Sequence, residues 1–400
     1  MRSIVFSRGR FKAVVVILVV IAGIWVLTRA VTSDGEGEAS TPSPPPAAPR
    51  YGQAELQRDL DAVRDAGAVG VIAQVNGSQR LRGTSGVSDV EADTPLDVDG
   101  YFRMGSNTKP FVAIVVLQLV EEGALTLDDT VERWLPGVVT GNGNDGASIT
   151  VRQLLQHTSG LHDYTDDLLA RVDSMEAYRE LLATTFTPRE LVTLALQSPP
   201  DFSPGQGWDY SNTGYALIGM IIEEVAGRSW DTEVARRVLE PLGMAHTSEP
   251  GTATVLPDPH PKGYEVLDGT TVEHPEQNMT WAGAGGSLVT TVDDLSRFWR
   301  AVGSGELVTP ELAEQMRRTV PTTGDDQPAG GTYGLGLAWR PLSCGGGAWT
   351  HNGDVPGFHT VSAVSEDGAT TAVVSLNVNA EGPVRQAAWD LIDHAVCQGA

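Results

Sequence analysis

A serine and a lysine stand three residues apart in Met104-Gly105-Ser106-Asn107-Thr108-Lys109-Pro110, and the apolar run Phe111 to Leu117 follows directly. Residues i and i+3 share one face of a helix, so the hydroxyl and the amine can meet there. Burial would lower the pKa of the amine because desolvation disfavours its charged form, and a neutral amine can take the serine proton. The pattern predicts Ser106 as a nucleophile with Lys109 as its partner. Read alone, it is also typical of a capped helix start with an exposed lysine.

Strand and helix patterns on either side indicate how this helix is embedded. A helix is predicted over 53–66, a hairpin over 69–84 around the turn Asn76-Gly77, further strands over 332–376 and a last helix from Pro383. Between them, helical periodicity predominates from about 125 to 280. The sequence thus predicts an α/β fold of the α+β type. Its antiparallel sheet is built from both chain ends (about 51–105 and 285–399), flanked by helices, with an inserted all-helical lobe.

The first fifty residues differ in composition from the rest. Basic residues precede the apolar run Ala13 to Leu27, which is long for a signal-peptide core and short for a full membrane span. No A-x-A cleavage site follows, so residues 1–30 are predicted to be a signal or anchor segment, with an uncleaved anchor favoured. Residues 31–50 are predicted to be a disordered Pro-rich linker. The domain over 51–399 is then expected outside the cell membrane, either anchored or secreted after cleavage.

Composition excludes several classes of partner. The formal net charge of −24 opposes binding to nucleic acid and to anionic membrane, so membrane contact is expected through the N-terminal segment only. The sequence has no H-E-x-x-H motif and no Cys/His cluster, so no metal site is predicted, nor any cofactor. Cys344 and Cys397 are candidates for one disulfide in an oxidising compartment, the alternative being two unrelated buried thiols. A monomer is expected.

Two further motifs offer the other groups that acyl transfer needs. Tyr210 and Asn212 lie two residues apart, so in an extended segment their side chains point the same way and could shuttle a proton and bind a substrate amide. His351 stands two residues before Gly353 on a predicted strand, and a residue without Cβ lets substrate backbone come close. Either motif, read alone, also fits an ordinary turn or strand.

In this order, the motifs Ser106-x-x-Lys109, Tyr210-x-Asn212 and His351-x-Gly353 resemble the three active-site elements of the penicillin-recognising serine hydrolases. The resemblance is closest to secreted D-alanyl-D-alanine carboxypeptidases and class C β-lactamases, and it covers about residues 51–399. It implies a β-lactamase/transpeptidase-like fold and an acyl-enzyme on the serine, with the lysine and the tyrosine managing protons. Which of these two is the acylation base stays open.

The resemblance also implies substrate contacts. The oxyanion hole would be the backbone N–H groups of Ser106 and Asp354, and Trp281 would line the pocket. The carboxypeptidases hold a free C-terminal carboxylate with a hydroxyl inside the third motif and an arginine on the preceding strand. Here Asn352 and Ala338 occupy those places, so we expect the amide of the former and the nearby Arg340 to bind the carboxylate instead.

The function expected from these residues is that of an extracytoplasmic serine hydrolase, a D-alanyl-D-alanine carboxypeptidase acting on peptidoglycan peptides. Its substrate would be a small peptide, ester or β-lactam. The alternatives are an esterase, a β-lactamase or a D-amino-acid amidase on the same scaffold, and a catalytically inactive penicillin-binding sensor. The sequence contains no G-x-S-x-G motif, which disfavours an α/β-hydrolase.

Overall fold

The computed structural model describes residues 51–267, 270–323 and 331–399. The predicted signal or anchor segment and the predicted linker lie outside these residues. In the described ranges, no helix is both long enough and apolar enough to cross a membrane.

Strands near both ends of the described chain enclose a mostly helical middle, as the periodicities predict. The helices are α1 (Gln53–Asp65), α2 (Thr108–Glu121), α3 (Val131–Trp134), α4 (Val151–Leu155), α5 (Tyr164–Leu169), α6 (Met175–Ala183), α7 (Pro188–Ala195), α8 (Asn212–Ala226), α9 (Trp230–Val234), α10 (Glu240–Leu242), α11 (Val292–Ser304), α12 (Pro310–Met316) and α13 (Gly382–Cys397). The strands are β1 (Gly70–Asn76), β2 (Arg80–Asp89), β3 (Thr94–Pro95), β4 (Phe102–Arg103), β5 (Thr140–Gly141), β6 (Asn144–Asp145), β7 (Tyr264–Leu267), β8 (Thr270–Glu273), β9 (Val289–Thr290), β10 (Val320–Pro321), β11 (Thr332–Tyr333), β12 (Ala338–Pro341), β13 (Gly347–Val355), β14 (Phe358–Ser365) and β15 (Thr371–Leu376).

The central sheet joins the two ends of the chain. In the described residues it has nine strands in the order β10-β11-β12-β13-β14-β15-β1-β2-β3. Strand β1 pairs antiparallel with β15, with Val71 opposite Leu376. The predicted sheet from both chain ends is therefore confirmed.

Two apolar cores lie on opposite faces of this sheet. One lies under α1 and α13, where the α1 stripe of Leu56, Leu60 and Val63 faces the α13 residues Leu391 and Ile392. The other unites α2, α11 and the helices of the lobe with the opposite sheet face. This second core is the larger one, and it contains the serine helix.

Three features differ from the prediction or refine it. The lobe over 125–280 is not all-helical, because the short hairpins β5–β6 and β7–β8 lie within it. The first hairpin turns through three residues, because Asn76 pairs with Arg80 and leaves Gly77 to Gln79 as the loop. Cys344 and Cys397 are joined by a disulfide that ties the loop before β13 to the end of α13.

Candidate active site

The candidate nucleophile stands at the joint between β4 and α2. Ser106 lies in a single 3₁₀ turn, Gly105–Asn107, that leads directly into α2. Most of α2 is buried, because residues 110–117 are apolar on every side. Pro110 is tolerated in the first turn, where the missing N–H has no intrahelical partner to lose. The buried helix therefore holds Lys109 and Ser106 in fixed positions.

Lys109 is fully buried and has three hydrogen-bond partners. Its Nζ lies 3.1 Å from Ser106 Oγ, 2.7 Å from Asn212 Oδ1 and 2.7 Å from the Gly285 carbonyl oxygen. Burial lowers the pKa of this amine to about 7, although the nearby Asp163 carboxylate opposes the shift. A lysine with this pKa is partly neutral at neutral pH, so it can accept a proton.

The geometry determines where the lone pair of the neutral amine points. A neutral amine has two N–H groups and one lone pair, while the Gly285 carbonyl and the Asn212 amide oxygen can only accept hydrogen bonds. Both N–H groups are therefore used by these two oxygens. In the neutral amine the lone pair is left for the hydroxyl of Ser106, 3.1 Å away, which can then donate its proton to the amine.

Tyr210 lies against the same amine. The Lys109 Nζ is 4.6 Å from the centre of the Tyr210 ring. Burial raises the pKa of the Tyr210 phenol well above its ordinary value, and the adjacent Ser106 side chain only partly opposes this. The hydroxyl group has no other partner of good geometry within the described ranges. A phenol with so high a pKa remains protonated, so the electrostatics favour Lys109 as the proton acceptor and Tyr210 as a donor.

Asn212 is held by the carboxylate of Asp163, a residue to which the sequence analysis assigned no role. Asp163 Oδ2 accepts from both the backbone N and the side-chain Nδ2 of Asn212, at 3.1 and 2.9 Å. Its Oδ1 accepts from the backbone N of Thr165 at 3.0 Å and so caps α5. Burial raises the pKa of Asp163, and these N–H donors oppose the rise. A polar residue just before a helix is an ordinary cap pattern, so the sequence carried no signal of this second role.

Strand β13 packs directly against the nucleophile turn. A Cβ on Gly353 would lie 2.0 Å from the Met104 carbonyl oxygen and 2.9 Å from the Ser106 nitrogen. Gly105 has φ +53°, and a Cβ there would lie 2.9 Å from the Asp354 nitrogen. Two glycines thus allow the nucleophile turn and β13 to approach each other closely. The predicted oxyanion donors belong to these two contacting segments, and their catalytic role stays a prediction.

A family model described as Beta-lactamase matches residues 54–396. The chain belongs to the beta-lactamase family. It is a serine hydrolase of the superfamily that unites β-lactamases with penicillin-binding proteins.

The relatives of this beta-lactamase family member have diverse names. A D-stereospecific amidohydrolase from Streptomyces sp. superimposes with a TM-score of 0.77 and is 37% identical, covering 85% of this chain and 99% of that one. Esterase EstB from Burkholderia gladioli is 31% identical, over 72% of this chain and 78% of its own length. Penicillin-binding protein 4* from Bacillus subtilis is 26% identical, over 81% of this chain and 71% of its own length. The names of these relatives thus include an amidohydrolase, an esterase and a penicillin-binding protein.

The histidine of the third motif is buried and neutral. Burial lowers the pKa of His351 to about 3, and the nearby Lys109 adds to the shift. Its Nδ1 lies 2.6 Å from the Asn352 carbonyl oxygen, which can only accept, so Nδ1 carries the proton. Its Nε2 then accepts from the hydroxyl of Tyr333 at 2.8 Å. His351 therefore brings no positive charge to this beta-lactamase-family site.

The structure corrects the predicted role of Arg340. The residue pairs with Ala348, which belongs to the core under α13, and directly paired residues share one sheet face. The Arg340 guanidinium lies 3.7 Å from the centre of the Trp389 ring on α13. Its side chain therefore lies across the sheet from Lys109 and does not reach the site. Asn352 is exposed and donates to the Asp354 carboxylate at 3.1 Å.

A cleft of about 400 Å³ opens beside Asn212 and Trp281. Its walls are largely apolar and come from α5, α6 and the turn after β13. Four charged side chains, Glu265, Asp354, Glu381 and Arg385, line it as well. Arg385 is paired with Asp354 at 2.9 Å. The cleft thus borders Asn212 of the second motif and Asp354, next to the third.

Two further residues, His157 and Tyr333, support the site, and the sequence analysis assigned them no role. His157 packs its ring 4.2 Å from that of Tyr210 and accepts from the backbone N of Ser211 at 3.2 Å. Tyr333 lies beside both His157 and His351. Both are buried, so they hold the second and third motifs together. Neither residue belongs to the three motifs, so the motif spacing did not reveal these contacts.

Proposed function

We propose that this protein hydrolyses amides and esters of D-amino acids through an acyl-enzyme on Ser106. The Ser106 oxygen forms a bond to the substrate carbonyl carbon while its proton passes to Lys109. Tyr210 then donates a proton to the leaving amine or alcohol as the bond to it breaks. Water hydrolyses the acyl-enzyme and releases the free acid. The observation that carries this proposal is the buried amine with a pKa of about 7, only 3.1 Å from the serine oxygen.

The charges of the site support substrates without a C-terminal carboxylate. A carboxylate in a partly buried site needs a cation or several N–H donors. Among the described residues, His351 is neutral, Arg340 lies across the sheet, and Arg385 is already paired with Asp354. Amides and esters of an amino acid carry no such carboxylate, so their binding does not require burying an unpaired charge.

The cleft also supports substrates with a free amine and an apolar side chain. Glu265 and Glu381 line the cleft and have no ion-pair partner within the described ranges. Burial raises the pKa of Glu265, and the charge of Glu381 adds to the shift, so a cation placed between them would be stabilised. Leu168, Leu181 and Tyr178 offer apolar surface beside these carboxylates. An aromatic D-amino-acid amide has this combination of groups, and the name of the Streptomyces relative agrees with the choice.

The decisive experiment compares matched substrates on the domain over 51–399. D-phenylalanine amide, its L enantiomer and 3-phenylpropanamide, which lacks the amine, separate the requirements for chirality and for the cation. We expect the D amide to be cleaved fastest, and Ser106→Ala to cleave none of them. Glu265→Gln should raise KM for the D amide about fivefold and leave KM for 3-phenylpropanamide unchanged, with Glu311→Gln as control. Cleavage by Ser106→Ala at the native rate would refute the acyl-enzyme.

A D-alanyl-D-alanine carboxypeptidase of peptidoglycan peptides is the second candidate, and one observation favours it. The Arg385 side chain is 41% exposed at the cleft, and a substrate carboxylate could replace Asp354 as its partner. Acetyl-D-Ala-D-Ala would then be cleaved faster than its C-terminal amide, and Arg385→Ala would remove the preference. Equal or reversed rates on acid and amide in the native enzyme would reject this candidate.

We further propose that the domain works outside the cell membrane. This location is supported by the basic and apolar N-terminal segment and by a disulfide, which persists in oxidising compartments. External protease should digest the domain in intact cells. A cytoplasmic, fully protected domain would contradict the proposal.

A further inference from the structure

In the described residues, Asp163 makes no hydrogen bond or ion pair with Ser106 or Lys109, and yet it contacts the residue that orients the lysine. Both Asn212 donors, the backbone N and the side-chain Nδ2, end on the same Asp163 oxygen. With its NH₂ group held by Asp163, the Asn212 side chain directs its amide oxygen at Lys109, and Oδ1 lies 2.7 Å from Nζ.

The orientation of this amide decides the role of the lysine lone pair. With its oxygen towards Lys109, Asn212 takes an N–H of the amine and leaves the lone pair to Ser106. If the amide turned by 180°, its NH₂ group would face the amine and would donate into that lone pair. The serine would then lose its proton acceptor.

From this arrangement we infer that Asp163 is a positioning residue, which locks the Asn212 amide so that the lone pair of Lys109 stays directed at Ser106. The inference rests on the proposed acyl-enzyme and assigns Asp163 no contact with substrate. A carboxylate is suited to the task because it can only accept hydrogen bonds, so the Asn212 amide has one favourable orientation.

The substitution Asp163→Asn tests this role without removing the helix cap. The new amide oxygen can still accept from Thr165, so α5 keeps its cap, and asparagine is a good residue at that position. The new NH₂ group, however, would face two N–H donors of Asn212. Turning the Asn212 amide relieves this repulsion at the side chain, and the turned amide then blocks the lone pair of Lys109.

The pH dependence separates this role from a merely structural one. The Asp163 charge raises the pKa of Lys109, so its removal lowers that pKa. Activity needs the neutral amine, and the acid limb of the acylation rate should therefore move to lower pH, while the plateau rate falls. A loss of folded protein would leave both the acid limb and the plateau rate per titrated active site unchanged. The other titratable groups packed around this pair are His157, Tyr164, Tyr210, Tyr215, Tyr333, His351 and Asp354.

The measurement is the rate of acylation by a chromogenic ester from pH 4.5 to 9, normalised to titrated active sites. For Asp163→Asn we expect a plateau about 10²-fold lower, the lower end of what a general base contributes, and an acid limb at lower pH than in the native enzyme. Asp166→Asn, on the same helix, is the control and should change neither value.

Asp163→Ala offers a second variant, which leaves the Asn212 amide free to take both orientations. It should keep a plateau between those of the native enzyme and Asp163→Asn, with the acid limb again shifted downwards. An unchanged plateau, or a uniform loss with an unmoved limb, would overturn the inference. If the native enzyme is not acylated on Ser106 at all, the proposed function fails instead, so the two failures are distinguishable.

Discussion

At the level of single residues, the chemistry depends on the balance of charge around one amine. Lys109 is buried among groups that accept hydrogen bonds, and burial alone would lower its pKa further than is found. Asp163 limits this shift, and neutral His351 adds no competing cation. The site thus combines a weakly basic lysine with a serine that has no other base within reach in the described residues.

Replacing this amine should abolish acylation. For Lys109→Ala we expect the rate of adduct formation with a labelled penicillin or ester to fall by about 10²–10⁴, the range of a general base. In the native enzyme, the rate should rise with pH through about 7, because the lysine must lose its proton to act. Stopped-flow acylation across this pH range checks both points, and a native rate that fell with rising pH would contradict the assignment.

Arg340 provides a residue-level prediction of the opposite kind. Since its guanidinium stacks on Trp389 across the sheet, Arg340→Ala should leave the ratio of acid to amide cleavage unchanged. We expect only a loss of about 0.5–1 kcal/mol in the free energy of unfolding, typical of an exposed cation–π pair. Steady-state rates with the two peptides and urea unfolding measure these effects. A changed ratio would restore Arg340 to the substrate site.

At the level of elements, the site depends on how closely β13 approaches the turn before α2. The contact exists only because Gly353 and Gly105 have no side chains. Strand β13 also carries His351 and Asp354, so a small displacement of the strand moves the whole third motif.

Gly353→Ala should therefore inactivate the enzyme while it remains folded. The new Cβ would lie 2.0 Å from a backbone oxygen, which cannot move aside as a flexible side chain could. We expect at least a 10²-fold loss in kcat/KM, the usual cost of a displaced catalytic group. Asn352→Ala, on the same strand with its side chain exposed, is the matched control and should keep most of the activity. Equal losses in both variants would argue against this contact.

At the level of the whole molecule, the disulfide fastens the C-terminal helix far from the chemistry. It closes a loop of 53 residues, and the chain-entropy model assigns such a loop about 4 kcal/mol. The double variant Cys344→Ser, Cys397→Ser should lose about this much unfolding free energy. It should keep native kcat/KM at 20 °C, because Cys397 lies at the far end of α13 from Arg385, the residue of this helix that lines the cleft. Chemical denaturation and kinetics on the same sample check both. A large loss of activity in a variant that remains folded would contradict this separation of stability from catalysis.

The sequence was most informative where periodicity and spacing determine the outcome. The serine helix, the joining of both chain ends in one sheet and the last helix follow from such patterns. The side of the sheet on which Arg340 lies could not be predicted in this way. Alternation along β12 defines two faces, and only the pairing with Ala348 shows which of them α13 covers. The role of Asp163 was equally hidden, since a capping aspartate and an orienting aspartate look alike in a sequence. The predicted monomer and the predicted anchor stay predictions.

The pairing of β1 with β15 has a consequence for how this protein is made. Val71 pairs with Leu376, which is synthesised more than three hundred residues later. Until then, one edge of β1 has no partner strand for its backbone hydrogen bonds. A nascent chain still lacking its last strands therefore carries an open, apolar sheet edge, which invites chaperones or aggregation. Strand β13 is also synthesised late, so the nucleophile emerges long before the motif that completes its site. Hydrolytic activity can appear only after synthesis of nearly the entire chain, and such long-range pairing also predicts slow folding.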